Sequence, residues 1–351
     1  GTTALGSLTT DSAGSTTIAQ NVTTSGDITI ADPLTLSGTA TLKGANINLA
    51  TVNSATGAEA LTLNTAGTAT LSGTVGTTSP LTSFTTTGGG TTNLGGNVTT
   101  TSGITLDNAT ILTSDATLNA GSGTLAVNAA IDAATLGTQS LTLTTTGLTD
   151  LNADIGSTTA LNTLTATLGG TTQIGASIST TGDLTLNNAI ALDGTTSLNS
   201  TSGILTLNGA IDGAQDLSLS SGGVTDINGA IGGTTALTSF TTAAAGGTTT
   251  FAPAANTLTT TNGITLGDAA ILEADTTLNA GAGTLALNNT LSGAVTLNTS
   301  GTTQLNADLG GGGTTIPLTS ITTDAPGTTQ LNADQTLAGA ILTFNDAVFL
   351  D

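Results

Sequence analysis

The chain has 351 residues, 22 of them acidic and one basic (Lys43), for a net charge of −21; it holds no His, Cys, Met, Trp or Tyr. That composition excludes an imidazole base, a thiolate nucleophile and a soft metal site. Repulsion from a nucleic-acid phosphate backbone, unrelieved by any Arg, leaves no nucleic-acid partner to expect.

Threonine supplies 87 residues and glycine 48, while hydrophobic residues make up 37% and charged residues 7%. Thr, Ile and Val favour extended backbone, and Gly, Asn and Asp favour tight turns, so the average signal is many short strands with brief connections. Disordered chains are usually richer in charge or proline than this one. No apolar run is long enough to span a bilayer as a helix, and the aromatic girdles of a membrane barrel cannot be built from five Phe. The chain is therefore not expected to cross a membrane.

Reading along the chain, Ala4-Leu5-Gly6-Ser7-Leu8 is the first landmark and Thr16-Thr17-Ile18 the second. The first returns as Pro80–Phe84, Ala160–Leu164, Ala236–Phe240 and Pro317–Ile321, so that its leading Leu falls at Leu5, Leu81, Leu161, Leu237 and Leu318. The second returns at Thr91–Leu94, Thr171–Ile174, Thr248–Phe251 and Thr328–Leu331. Two landmarks with one spacing define a super-repeat of about 80 residues, the feature to establish before any fold is assigned. Its copies run approximately over 1–23 (partial), 24–100, 101–180, 181–260, 261–339 and 340–351 (partial).

Each copy divides into four segments. In the copy at 181–260 they are Thr181–Ser200, Thr201–Ser220, Ser221–Thr242 and Ala243–Thr260, nearly equal in length. Apolar positions alternate within them, as in Leu184/Leu186, Leu205/Leu207 and Leu217/Leu219. A period of two puts those Leu on one face of a strand and the intervening Thr on the other. Helix is disfavoured by this density of Gly and Thr.

A persistent Asn ends many of these strands: Asn128, Asn152, Asn187, Asn208, Asn228, Asn288 and Asn306. The residue after it varies, which favours a solenoid corner over an Asn-Gly hairpin turn, with a hairpin array as the alternative. Such a corner would hold the Asn in the left-handed region with its amide bonded locally; stacked corners would also align the amides in a ladder. The apolar neighbours Leu151 and Ile155, Ile227 and Ile231, and Leu305 and Leu309 then face a core. Gly88-Gly89-Gly90 and Gly310–Gly313 read as turn loops, because the register continues on either side.

The expected fold is all-β: a right-handed parallel β-helix (β-solenoid) of about 20 residues per coil, four coils per super-repeat, as one continuous domain over 1–351. About 17 coils with a rise of about 4.8 Å each would make a rod of roughly 80 Å. Phe84, Phe240 and Phe251 stand where other copies carry Leu or Ile, and Phe344 aligns with Leu266, so they read as core filler.

The phrases Leu205-Thr206-Leu207-Asn208-Gly209-Ala210-Ile211-Asp212-Gly213-Ala214 and Thr234-Thr235-Ala236-Leu237-Thr238-Ser239-Phe240 resemble the repeats of very large bacterial surface proteins. These are the filamentous-haemagglutinin-like and autotransporter-passenger adhesins, and the resemblance runs through essentially the whole chain. It implies export through an outer membrane, a β-helical shaft, and adhesion or matrix roles borne mainly by domains outside the shaft. No catalytic or binding residue carries over.

Carboxylates and hydroxyls are the only groups left for chemistry. Asp150/Asp154, Asp212/Asp216 and Asp346/Asp351 are close in sequence, but a carboxylate pair for sugar cleavage appears once in a chain, not as variable decoration of a repeat. Neither a calcium β-roll nonapeptide nor an EF-hand loop is present, which leaves Asp154, Asp212 and Asp308 as candidate ligands of loosely held Ca²⁺ on the acidic surface. No other cofactor is expected. The outward Thr62, Thr142, Thr185 and Thr206 raise an ice-binding alternative, although paired Thr-x-Thr rows do not recur in every coil.

The expected role is a structural shaft of an exported fibre or giant adhesin at a bacterial cell surface, with no catalytic site. Expected partners are copies of itself or the continuation of a longer repeat chain, with lateral bundling; a directly adhesive module is a further alternative. Gly1 aligns with Gly233, past the middle of a super-repeat, and Asp351 near Glu273, so an excerpt of a longer chain is expected ahead of a self-stacking protomer.

Overall fold

The computed structural model describes residues 4–167, 169–243, 246–309, 318–324, 326–335 and 341–350. They form a parallel β-solenoid whose strands stack at intervals of about 21 residues, in about 16 turns. The chain divides into two compact units, Gly1–Thr181 and Gly182–Asp351. The first landmark at Pro317 and the loop at Gly310–Gly313 lie outside the described residues.

In the first unit each coil contributes to three faces. One carries Leu8–Thr10, Ile28–Ile30, Ile47–Leu49, Thr68–Leu71, Thr91–Leu94, Ala109–Leu112 and Ile131–Ala133, every pairing parallel. A second runs from Val22–Thr23 through Ala40–Lys43, Leu61–Asn64, Phe84–Thr87, Gly103–Leu106, Thr124–Val127 and Leu148–Leu151 to Thr171–Ile174. On the third, Thr16–Ile18, Leu34–Leu36 and Val52–Ser54 continue through the single bridges Val52–Val75–Val98 to Ala116–Asn119, Leu141–Thr144 and Leu164–Ala166.

The second unit repeats the plan. One face runs from Thr196–Ser200 through Asp216–Ser221, Ser239–Thr242, Gly263–Leu266, Thr284–Leu287, Thr302–Leu305 and Thr328–Leu331 to Ala347–Leu350. Leu291–Asn298 turns a corner within one strand. Ala270 pairs with Leu291 and Thr276 with Val295, and the register shifts at Gly293, whose φ is +102°. The 3₁₀ turn Pro253–Ala255 is the one helical element among the described residues.

Parallel register sets like over like, and that builds the core. Val75 bridges Val52 and Val98, and Ile155 bridges Ile131 and Ile178; all six are at most 1% exposed. Phe84 pairs with Leu61 and Ile104, Phe240 with Leu217 and Ile264, and Phe251 with Ile227 and Leu272. Each such burial contributes roughly 1.5–3 kcal/mol against conformational entropy. Phe344 is only half-buried.

Two details differ from the sequence reading. Coil length is not constant: Thr16 pairs with Leu34 across a short coil, whereas Ile231 bridges Leu258 across a much longer one. Corner loops absorb that variation, and apart from the shift at Gly293 the described pairings keep their register. Threonine, moreover, is not confined to the outside. Thr92, Thr172, Thr249 and Thr329 are buried at equivalent inward positions of four super-repeats, because each lies two residues before an inward Leu94, Ile174, Phe251 or Leu331 on the same strand face.

Candidate functional site

The seven corner Asn join three ladders that run from coil to coil. In the first unit Asn128 Nδ2 donates to Asp107 Oδ1 at 2.8 Å, and Asn152 Nδ2 to Asn128 Oδ1 at 3.0 Å. Asn152 also donates to Asp150 Oδ2 at 3.0 Å. In the second unit Asn208 donates to Asn187 at 2.6 Å and Asn228 to Asn208 at 2.7 Å. Asn306 donates to Asn288 at 2.7 Å, and Asn332 to Asn306 at 2.6 Å.

The left-handed corner expected of these Asn is corrected by the structure: no described residue other than glycine has a positive φ. Asn gains from the left-handed region when its amide bonds its own backbone, and here the amide is engaged one coil away. Glycine takes that conformation instead. Gly76, Gly156 and Gly232, with φ of +70°, +70° and +67°, follow Val75, Ile155 and Ile231 at one point of the super-repeat. A Cβ on any of them would collide with a carbonyl oxygen of the adjacent coil, that of Thr99, Ser179 or Thr259.

The loop that each of these glycines opens is held by an acceptor on the coil beneath. Asn53 Oδ1 accepts the amides of Thr78 and Ser79 at 3.2 Å each. Asp132 Oδ1 accepts those of Thr158 and Thr159 at 2.9 and 3.0 Å, and Asp212 Oδ1 those of Thr234 and Thr235 at 2.8 and 2.9 Å.

Asp212 is thus a loop clamp. Asp154 Oδ1 likewise accepts the Ser177 amide at 2.9 Å, and Asp308 is engaged by an interaction of its own. Among the described residues no three His, Cys, Asp or Glu gather as a metal site. Of the paired acids, Asp216 accepts from Ser239 Oγ at 2.6 Å, and Asp351 lies outside the described residues.

A further polar position is one that the sequence reading misses. Asp32 is 3% exposed and its Oδ1 accepts the hydroxyls of Thr10 and Thr16, each at 2.8 Å. Asp268 takes the hydroxyls of Thr242 and Thr249, and Asp346 those of Thr323 and Thr329. Asn108 and Asn188 occupy the same corner in the intervening super-repeats, both buried. Asn108 turns to the backbone, donating to Thr87 O at 3.2 Å and accepting from Gly89 N at 3.0 Å. The buried hydroxyls of Thr86 and Thr92 beside it find no partner, nor does that of Thr172. The signal is present as Ile28-Thr-Ile-Ala-Asp32, Ile104-Thr-Leu-Asp-Asn108, Leu184-Thr-Leu-Asn-Asn188, Ile264-Thr-Leu-Gly-Asp268 and Leu342-Thr-Phe-Asn-Asp346.

These clasps are not electrostatically alike. The Thr10 hydroxyl, joined by Thr16, holds Asp32 below the usual carboxylate range against the opposing effect of burial. For Asp268 burial wins over the two Thr hydroxyls and pushes the carboxyl up. Glu59, 5% exposed, is held at about 2 by the hydroxyls of Ser54 and Thr56 and the amides of Thr56 and Ala58.

No family, curated protein or solved structure matches the chain. Its own surface is the remaining source of functional information. Outward Thr41, Thr62, Thr85 and Thr105 stack in register in the first unit, and Thr257, Thr277, Thr296, Thr322 and Thr343 in the second. Beside the first rank stand Lys43, Asn64 and Thr87, so its neighbour is not a second Thr rank. An open groove of about 220 Å³ crosses Thr29, Asn48 and Thr70 and is lined by no titratable group. Among the described residues no helix is long and apolar enough to cross a membrane.

Proposed function

We propose that this chain is part of the structural shaft of an exported bacterial surface fibre or giant adhesin, an extracellular scaffold without a catalytic site. One observation carries the reading: the Asn and Asp side chains at the recurring corners of the repeat are engaged coil to coil, as ladders, loop clamps and clasps. Asn208 bonded to Asn187 and Asn228, and Asp212 bonded to two loop amides, hold successive coils of the repeat together. The composition supports durability. A single Lys and no Arg leave one position for trypsin-like cleavage, and the most easily oxidised side chains are missing.

The shaft associates with further copies or continues in a longer repeat chain, and the net charge of −21 keeps neighbours apart at low salt. Divalent cations, Ca²⁺ held loosely by surface Asp among them, bring shafts side by side into bundles. Labelling of intact cells with an antibody to this chain, followed by electron microscopy, tests the reading. Thin surface filaments are expected, and label confined to the cell interior overturns it. Lateral bundling has its own test in light scattering, which rises on adding millimolar Ca²⁺ and falls with a chelator.

A second reading draws on the five stacked Thr from Thr257 to Thr343, an outward hydroxyl row of the kind an ice-binding surface would use. A thermal-hysteresis measurement separates the two, since a shaft leaves the freezing point of water unchanged beyond its colligative effect.

A further inference from the structure

Five corners of the super-repeat carry the clasp position, and in one of them the residue that follows is proline. The five prolines follow Asp32, Ser79, Ala252, Ile316 and Ala325, so Asp32–Pro33 is the one Asp–Pro bond in the chain. The equivalent clasps read Asp268-Ala269 and Asp346-Ala347. Proline makes a tertiary amide with no N–H, and an Asp carboxylate is a nucleophile that reaches its own main-chain carbonyl through a five-membered ring.

We propose that Asp32–Pro33 is an acid-triggered self-cleavage site, and that the hydroxyls of Thr10 and Thr16 hold it closed while the coil is folded. Both carboxylate oxygens are occupied. Oδ1 accepts from Thr10 and Thr16 at 2.8 Å each, and Oδ2 accepts from Thr16 at 3.0 Å. The corner is pinned further. Thr16 N donates to Pro33 O at 3.0 Å, and Leu34 N donates to Thr51 O at 2.9 Å. Asp32 is buried whereas Pro33 is exposed, so solvent meets the corner on the proline side of the bond while the Asp32 side chain is enclosed.

The reaction balances with water and acid alone. An Asp32 side-chain oxygen bonds to the Asp32 main-chain carbon, and the carbon–nitrogen bond to Pro33 breaks. Its electron pair stays on the proline nitrogen, which takes a proton from solvent. Water then opens the cyclic anhydride, leaving carboxyl groups on residue 32 and a new amino terminus at Pro33. Of the neighbouring corners, the one beneath holds one titratable group, Asp11, which accepts from Ala13 N at 3.1 Å. The corner above, Ala50 and Thr51, holds none.

Cleavage does not by itself release the fragment. Strand Ile28–Ile30 remains paired with Leu8–Thr10 and Ile47–Leu49, and Thr16–Ile18 with Leu34–Leu36. Detection therefore needs denaturing conditions. The full chain is incubated at the lowest pH that keeps a native far-UV circular dichroism spectrum, with and without guanidinium chloride, and its fragments are weighed by denaturing mass spectrometry. Fragments 1–32 and 33–351 are expected, forming at least tenfold faster in guanidinium than in the native protein.

Substitution of both Thr10→Val and Thr16→Val speeds native cleavage toward the guanidinium rate, and Pro33→Ala stops it in both media. The guanidinium comparison needs no variant, so a misfolded double substitution leaves the test intact. Equal rates in native and unfolded chains, or equal cutting after Asp268 and Asp346, would overturn the proposal.

Discussion

Asn208 Nδ2 lies 2.6 Å from Asn187 Oδ1, and Asn208 Oδ1 in turn accepts from Asn228 at 2.7 Å. One side chain therefore joins three coils. Asn208→Ala deletes both bonds at an exposed position, a loss of about 1 kcal/mol by the usual net worth of such bonds. Asn208→Asp costs more, since its carboxylate keeps the bond from Asn228 but faces the Asn187 oxygen without a donor. Urea unfolding at pH 7 measures both. An Asp variant as stable as the wild type would show that the ladder contributes nothing.

Core stacking answers to a different substitution. Ile155 is fully buried between Ile131 and Ile178, whereas Ile204 is 41% exposed. Ile155→Ala is expected to cost about 2–5 kcal/mol, the transfer term plus a cavity that a stacked coil cannot collapse. Ile204→Ala stays within about 1 kcal/mol. Denaturant midpoints for the two variants test this.

Much of the coil was legible because strand alternation and the landmarks at Leu81, Leu161 and Leu237 are local and periodic signals. Phe84, Phe240 and Phe251 could be placed in the core on that pattern alone. Corner chemistry was harder to see. Whether Asn152 bends its own backbone or reaches Asn128 depends on a residue 24 positions away, and no local preference encodes that distance. The inward hydroxyl of Thr92 was hidden for a related reason. Threonine serves either face of a strand, and its direction follows only from Leu94 two residues on. Asp32 and Asp268 have the local sequence of surface turn residues, and only the Thr that the preceding coil brings beneath them makes them clasps.

Acid should act on these two clasps in opposite directions. Asp32 is held below its ordinary value of 3.8, so it adds stability above that value and loses it as pH falls through the lowered one. Asp268 is raised by burial, so its ionised form weighs against the fold, and that burden lifts as pH falls through the raised value. Wild type therefore loses ground to Asp32→Asn below about pH 4 and gains ground on Asp268→Asn on moving from pH 7 into the acid range. Glu59, held at about 2 by Ser54 and Thr56, follows Asp32, its contribution falling away between its ordinary 4.5 and about 2. Urea midpoints across a pH series, taken for wild type and each amide variant, read the signs directly. Parallel trends for Asp32 and Asp268 would refute the assignment.

One isosteric change should have opposite effects at two equivalent positions. Thr92 and Thr249 are both the second Thr of the second landmark, both buried and both inward. The Thr92 hydroxyl has no partner, because Asn108 turns its amide to Thr87 and Gly89. The Thr249 hydroxyl donates to Asp268 Oδ2 at 2.8 Å. Valine keeps the shape of threonine and removes the polar atom. Thr92→Val lifts the desolvation cost of an unpaired hydroxyl and is expected to stabilise by about 1 kcal/mol. Thr249→Val takes one of two donors from a buried carboxylate and is expected to destabilise by about 1–3 kcal/mol at pH 7. Protonation of Asp268 removes most of the second penalty, so the gap between the two variants narrows in acid. Paired thermal melts at pH 7 and pH 4 measure it, and shifts of the same sign at pH 7 would mean that Asp268 does not depend on the hydroxyl beside it.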